Sequence, residues 1–232
     1  MPNQLQLNPR KITTTLGAIA FFLVVASLIG YAIKIYTGHK LLGLFDLDLE
    51  NNFPTFYSMC LLLIALILLA VITLLEKKRA SSHVSYWRTL TFGFLLMSLD
   101  EVIALHERLT YFIRIFLFHG ERAGIFYYSW VIVGIAVVIL LGFYFLKFLL
   151  QIPKKVRRNF ILSASVYLAG AIGMELLGGW QAELHGFNNL TFLTFVTIEE
   201  TLEMAGVIIF IHGLLEYIAD NFSEVQFIIK AS

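Results

Sequence analysis

FGFLLMSLDEVIALHERL, residues 92–109, starts like the interior of a membrane and ends as a row of charges. The run 92–97 is wholly apolar, yet Asp100 and Glu101 follow almost at once, with His106, Glu107 and Arg108 one to two turns later. What these acids do depends on whether the stretch lies in water or in lipid, and the rest of the chain decides that. Of the 232 residues, 59% are hydrophobic and only 14% are charged, whereas a soluble domain carries about 25% charged residues. Windows near 14–36, 54–76, 86–108, 126–150, 159–181 and 191–218 are each apolar enough to cross ~30 Å of hydrocarbon, which takes about 20 helical residues. The expectation is an all-α, polytopic integral membrane protein. It is a single domain over 1–232, a bundle of six transmembrane helices.

Basic residues give the orientation. Arg10, Lys11, Lys77, Lys78, Arg79, Arg88, Lys147, Lys154, Lys155, Arg157, Arg158 and Lys230 fall on one side of these spans, against Lys34, Lys40, Arg108, Arg114 and Arg122 on the other. The positive-inside rule then puts both termini in the cytoplasm. The expected location is the cytoplasmic membrane of a bacterium. The first window follows Arg10 and Lys11, but its apolar core is too long for a cleaved signal peptide, so it reads as a retained anchor.

Several function classes drop out. There is no Walker loop, dinucleotide fingerprint or Gly-x-Ser-x-Gly elbow. Basic residues flank the spans instead of forming a stripe, so nucleic acid is not an expected partner. The single cysteine, Cys60, allows no intrachain disulfide. The outer loop 37–53 contains Asp46, Asp48 and Glu50 at calcium-loop spacing, but Asn51 replaces the required Gly and Tyr57 the closing Glu. It reads as a solvated loop. Residues 109–125 read as an interfacial helix on the outer surface. Trp87, Trp130 and Trp180, with Tyr86, Tyr127 and Tyr128, fall at span ends as an aromatic belt would. His39 and His83 fall in loops and read as solvated.

The acids carry the functional reading. Asp100 and Glu101 in the third window, Glu175 in the fifth, and Glu199, Glu200 and Glu203 in the sixth all lie inside spans. Each ionised acid at a helix centre costs roughly 2.5–3.5 kcal/mol. The group would together exceed a typical whole-protein stability of ~5–15 kcal/mol, so the acids need bound cations or retained protons. At ~1.5 Å per residue, Asp100 and Glu199 lie about 12 Å below the outer ends of their spans and Glu175 about 9 Å, which suggests one shared level. Asp100 and Glu107 share a helix face, and Glu199, Glu200 and Glu203 form a patch. Glu101 and His106 diverge from the Asp100 face in opposite directions, so either one of them serves the site or the helix is distorted there. Small residues at Ala169, Gly170, Ala171 and Gly173 let a neighbouring helix approach and hold Glu175 firmly.

Three readings follow. In the first, one or two divalent metal ions sit among Asp100, Glu107, Glu175, Glu199, Glu200 and Glu203, with His106 or His185 completing the shell, in a membrane enzyme acting on a lipid-like substrate. A nitrogen ligand favours Fe or Zn, all-oxygen ligation Mn, Mg or Ca. In ingredients this set resembles the ferritin-like di-metal bundles, without their Glu-x-x-His spacing. The paired His-x-x-x-His of the alkaline ceramidase and adiponectin-receptor hydrolases is also missing. In the second, the same acids serve a proton- or cation-coupled transporter or channel. In the third, the bundle binds a pigment, quinone or haem as a subunit of a membrane complex. Glu101, Arg108, Glu183, His119, His212 and Glu216 are the candidate supporting or proton-relay residues.

Overall fold

A computed structural model describes residues 8–39, 42–121 and 123–222. Lys40, Arg122 and Lys230, which entered the charge count above, lie outside the described residues, as do both termini. The elements are helices: α1 Pro9–Thr37, α2 Phe53–Lys78, α3 Val84–Ile103, α4 Leu105–Phe118, α5 Trp130–Gln151, α6 Lys154–Leu168, α7 Glu175–His185 and α8 Leu190–Asn221. A π-helical turn, Ala169–Met174, joins α6 to α7, and short 3-10 turns occupy Gly43–Phe45 and Gly124–Phe126. Among the described residues five helices are long and apolar enough to cross a membrane, and six if α3 and α4 count as one broken span.

Local chemistry sets the helix ends. Asn8, Asn52 and Asn189 each accept a backbone N–H of the first turn of α1, α2 and α8, which satisfies donors that have no intrahelical partner. Pro9 and Pro54 occupy the first turns of α1 and α2, where a missing N–H costs nothing. Pro153 forces Ile152 into extended backbone with ψ 158, and so separates α5 from α6.

The break between α3 and α4 follows no such signal. The window read as 86–108 stops at Ile103, and α4 leaves at 82°. The turn is Ala104, held in the left-handed region at φ 46 and ψ 52. Asp100 supports it: its Oδ1 accepts the backbone N–H of His106 at 3.0 Å, and its Oδ2 lies 2.8 Å from the His106 ring Nδ1. An aspartate thus caps the new helix where no Gly or Pro announces one.

The last helix is the spine. α8 packs on α1, α2, α6, α7 and the π turn, while α2 pairs with α3. Its buried side chains Met204, Val207, Phe210, Ile211, Leu214 and Leu215 form the middle of the core. Trp87, expected in an aromatic belt, is instead fully buried in that core, in contact with Phe148, Phe160 and Tyr217.

The 37–53 loop is also not simply solvated. Leu47 and Asp46 are buried. Ser27 Oγ accepts the Leu47 N–H, and Tyr31 Oη accepts the Asp48 N–H. The loop is therefore fastened to α1, which brings its last acid, Glu50, over the bundle.

Candidate functional site

Three elements deliver the buried acids. Glu175 opens α7 directly after the π turn and is 9% exposed. Its Oε1 accepts the indole N–H of Trp130, at the start of α5, at 2.7 Å. Glu199 on α8 brings its carboxyl to hydrogen-bonding range of the Glu175 carboxyl. Gly170 makes this approach possible: a Cβ there would stand 2.8 Å from the Glu199 carbonyl oxygen and 3.1 Å from Glu203 Cγ. Gly173, grouped with it on sequence grounds, has nothing within 4 Å of an added Cβ, so the small-residue contact belongs to Gly170.

One turn along α8 a second group forms. Glu203 interacts electrostatically with the Tyr167 hydroxyl from α6. Glu101 of α3, Tyr167, Glu203 and Ser58 of α2 line one small cavity. Glu200 stands within electrostatic reach of Glu203, Glu101 and Glu175. The Asp100–His106 pair sits beside these acids. The imidazole lies against Trp130 with ring centroids 5.4 Å apart and planes tilted by 60°, and it interacts electrostatically with Glu175, Glu107 and Glu203.

The rim is built from Glu107, exposed in the first turn of α4, and from Glu50. Glu50 is exposed, but its place at this crowded rim removes part of its water shell. That desolvation, followed by the negative charges of Glu107 and Asp100 and opposed by His106, holds its carboxyl above the usual carboxylate range. The broken helix also changes the geometry expected for Asp100. It stands three residues from the end of α3, about 4.5 Å along the axis, and it is its partner His106, beyond the break, that interacts electrostatically with Glu175.

The family described as Domain of unknown function (DUF8692) matches residues 15–218, a stretch that includes every residue of the acid cluster. The chain belongs to that family. No curated protein and no solved structure matches it. The DUF8692 match also takes in a second polar group at the opposite end of α8. There His212 Nε2 lies 3.3 Å from Glu216 Oε1, which Lys155 Nζ also approaches at 2.9 Å, while Asn159 donates to Glu216 Oε2.

Other expected site residues take up different places. His185 ends α7 as an exposed side chain, ten residues beyond Glu175. His119 is the exposed left-handed residue that ends α4, and Arg108 is exposed. Glu183 works as a clamp: its carboxylate accepts the backbone N–H groups of Ala123 and Gly124 and lies 3.7 Å from Arg114. His83 hydrogen-bonds Gln151 at 2.9 Å. Among the described residues no three His, Cys, Asp or Glu side chains come together in a way that would hold a metal ion. The acids instead meet in pairs, carboxyl to carboxyl, carboxyl to phenol, and aspartate to imidazole.

Sequence reasoning passed over Glu50, Ser58, Tyr167 and the inward role of Trp130. Trp130 fits an aromatic belt equally well by position, and Ser58 and Tyr167 are single polar residues in apolar helices. Glu76 was also missed. It is buried at the far end of α2 and accepts a hydrogen bond from Tyr217 at 3.1 Å; its neighbours Lys77, Lys78 and Arg79 gave it the look of an ordinary charged flank.

Proposed function

We propose that this protein is a proton- or cation-coupled membrane carrier, and that Glu101, Glu175, Glu199, Glu200 and Glu203 hold and exchange the coupling charge. The observation that carries this reading is the pairing of Glu175 with Glu199 where Gly170 lets α8 come close. Two carboxyl groups side by side do not readily both ionise without a positive charge nearby. Among the described residues the Lys and Arg ion pairs go to Glu183, Glu216 and Asp220. His106, within electrostatic reach of Glu175, is paired with Asp100, so a shared proton or a small bound cation is left to fill the role. Intramembrane acids in such settings are the usual stations of pumps and transporters.

The division of labour follows from the pairs. Asp100 and His106 form the entry station at the rim, next to exposed Glu107 and Glu50. Glu175 and Glu199 share charge inside, with Trp130 fixing the Glu175 carboxyl. Glu203 and Tyr167 take it deeper. The basic flanks of α2, α3 and α6 orient the bundle in the cytoplasmic membrane with both termini inside, so the acid cluster opens to the exterior.

Purified protein in liposomes, with an imposed pH gradient and an entrapped pH dye, tests the proposal. Gradient-dependent proton movement is expected, and the Glu175→Gln/Glu199→Gln double variant loses it. The absence of flux under pH and sodium gradients overturns the reading. So does stoichiometric iron or zinc in protein prepared without chelator, which would return the same acids to metal-dependent chemistry on a lipid-like substrate.

A further inference from the structure

The cavity among α2, α3, α6 and α8 has a volume of about 10 Å³, the room one water molecule needs. Its polar lining is Ser58, Glu101, Tyr167 and Glu203; the remainder is apolar side chain from α2 and α8. The Ser58 hydroxyl oxygen is buried and has no hydrogen-bond partner within the protein. That is unusual for a buried hydroxyl. It is also unlike several threonines of these helices. Thr73, Thr91, Thr197 and Thr201 each donate to the carbonyl one turn back, the ordinary solution for a hydroxyl within a helix. Ser58 makes no such bond.

We infer that this cavity is a binding site for a single water molecule, anchored by Ser58, through which a proton passes between Glu101 and Glu203. The inference deepens the carrier reading and rests on it. The step balances simply. The protonated Glu101 carboxyl gives its proton to the water as the water gives one of its own to the Glu203 carboxylate. One O–H bond breaks and one forms on each side, the water is conserved, and no electrons are transferred. Tyr167 stands beside Glu203 in the cavity wall, and Ser58 is the positioning residue for the water. A water needs two to four polar partners, and Ser58, Glu101 and Glu203 supply them from three helices.

The test combines two readouts. Infrared difference spectra of the detergent-solubilised protein should contain a water O–H stretch that shifts in H2(18)O. Ser58→Leu, which fills the cavity, should remove that band and lower proton flux in liposomes at least tenfold. Ser58→Ala, which keeps the space but removes the anchor, should weaken both, and it serves if the leucine variant does not fold. An infrared spectrum without an isotope-sensitive water band overturns the inference. So does a Ser58→Leu variant that folds and transports like the wild type. A sodium-dependent signal in place of the water band also overturns it, because an all-oxygen lining suits a bare hard cation as well. If the wild type moves no protons at all, the carrier reading fails, and the water band alone decides the cavity.

Discussion

Ala104 holds φ 46 and ψ 52, a conformation that costs a residue with a Cβ about 1–2 kcal/mol. The Asp100 carboxylate keeps it there by capping His106 and pairing with its ring. Ala104→Gly should therefore raise stability by about 0.5–1 kcal/mol, since glycine adopts the turn freely but loses more chain entropy on folding. Thermal unfolding in detergent checks it, and a fall would mean that the turn is not strained. Glu50 gives a second prediction at this scale. In the folded protein its carboxyl is held above the ordinary glutamate value of 4.5. The folded state thus binds this proton more tightly, and the stabilisation is complete below pH 4.5 and lost as pH rises through the folded value. Glu50→Gln should match the wild type in stability at about pH 4 and exceed it at pH 7. The gain should stay below about 1 kcal/mol because the side chain is exposed. A gain that shrinks as pH rises would reverse the assignment of Glu107 and Asp100 as its destabilising neighbours.

At the scale of elements, the contact between the π turn and α8 sets the acid pair. A Cβ on Gly170 would meet the Glu199 carbonyl oxygen at 2.8 Å, and backbone cannot yield as a side-chain tip does. Gly170→Ala should cost about 1–3 kcal/mol and separate Glu175 from Glu199, whereas Gly173→Ala, with nothing within 4 Å of its Cβ, should be tolerated. Comparing the unfolding midpoints and fluxes of the two variants tests which glycine matters. Equal effects would show that the small side of the helix, and not one close approach, is what counts. The sequence announced that side of the helix and the acids on each element, because hydropathy and intramembrane charge are local signals. The 82° break was not announced by any Gly or Pro. Its cause is a side-chain cap from Asp100, whose carboxylate the spacing assigns to the site alone. His106 therefore comes between Asp100 and the reach of Glu175 through a turn that apolar periodicity cannot encode. Trp130 and Tyr167 were illegible for a related reason: a helix position alone does not say which neighbour an aromatic residue faces.

At the scale of the whole molecule, α8 carries acids within its first half and, nearer its far end, His212 and Glu216, which Lys155 of α6 joins. Glu203 and His212 are nine residues apart, about 13.5 Å along the axis and on opposite faces. Between them lie buried Val207, Phe210 and Ile211, with Phe94 stacked on Phe210 at 4.7 Å. A proton cannot cross that apolar plug by hopping between side chains. A carrier built this way works only if the plug opens while the outer cluster closes. The state described here, with its acids reaching an exposed rim at Glu50 and Glu107, would be the outward one. This places a strict demand on topology: the α2–α3 turn must face the cytoplasm and the α4–α5 loop the exterior. Cys60 is the only cysteine, so replacing it with alanine gives a clean background for single reporters. In intact cells a membrane-impermeant maleimide should label Glu121→Cys and leave Ser81→Cys unlabelled until the membrane is opened. The reverse pattern would turn the acid cluster to the cytoplasm, make the His212–Glu216 group the outer station, and invert the direction in which charge enters.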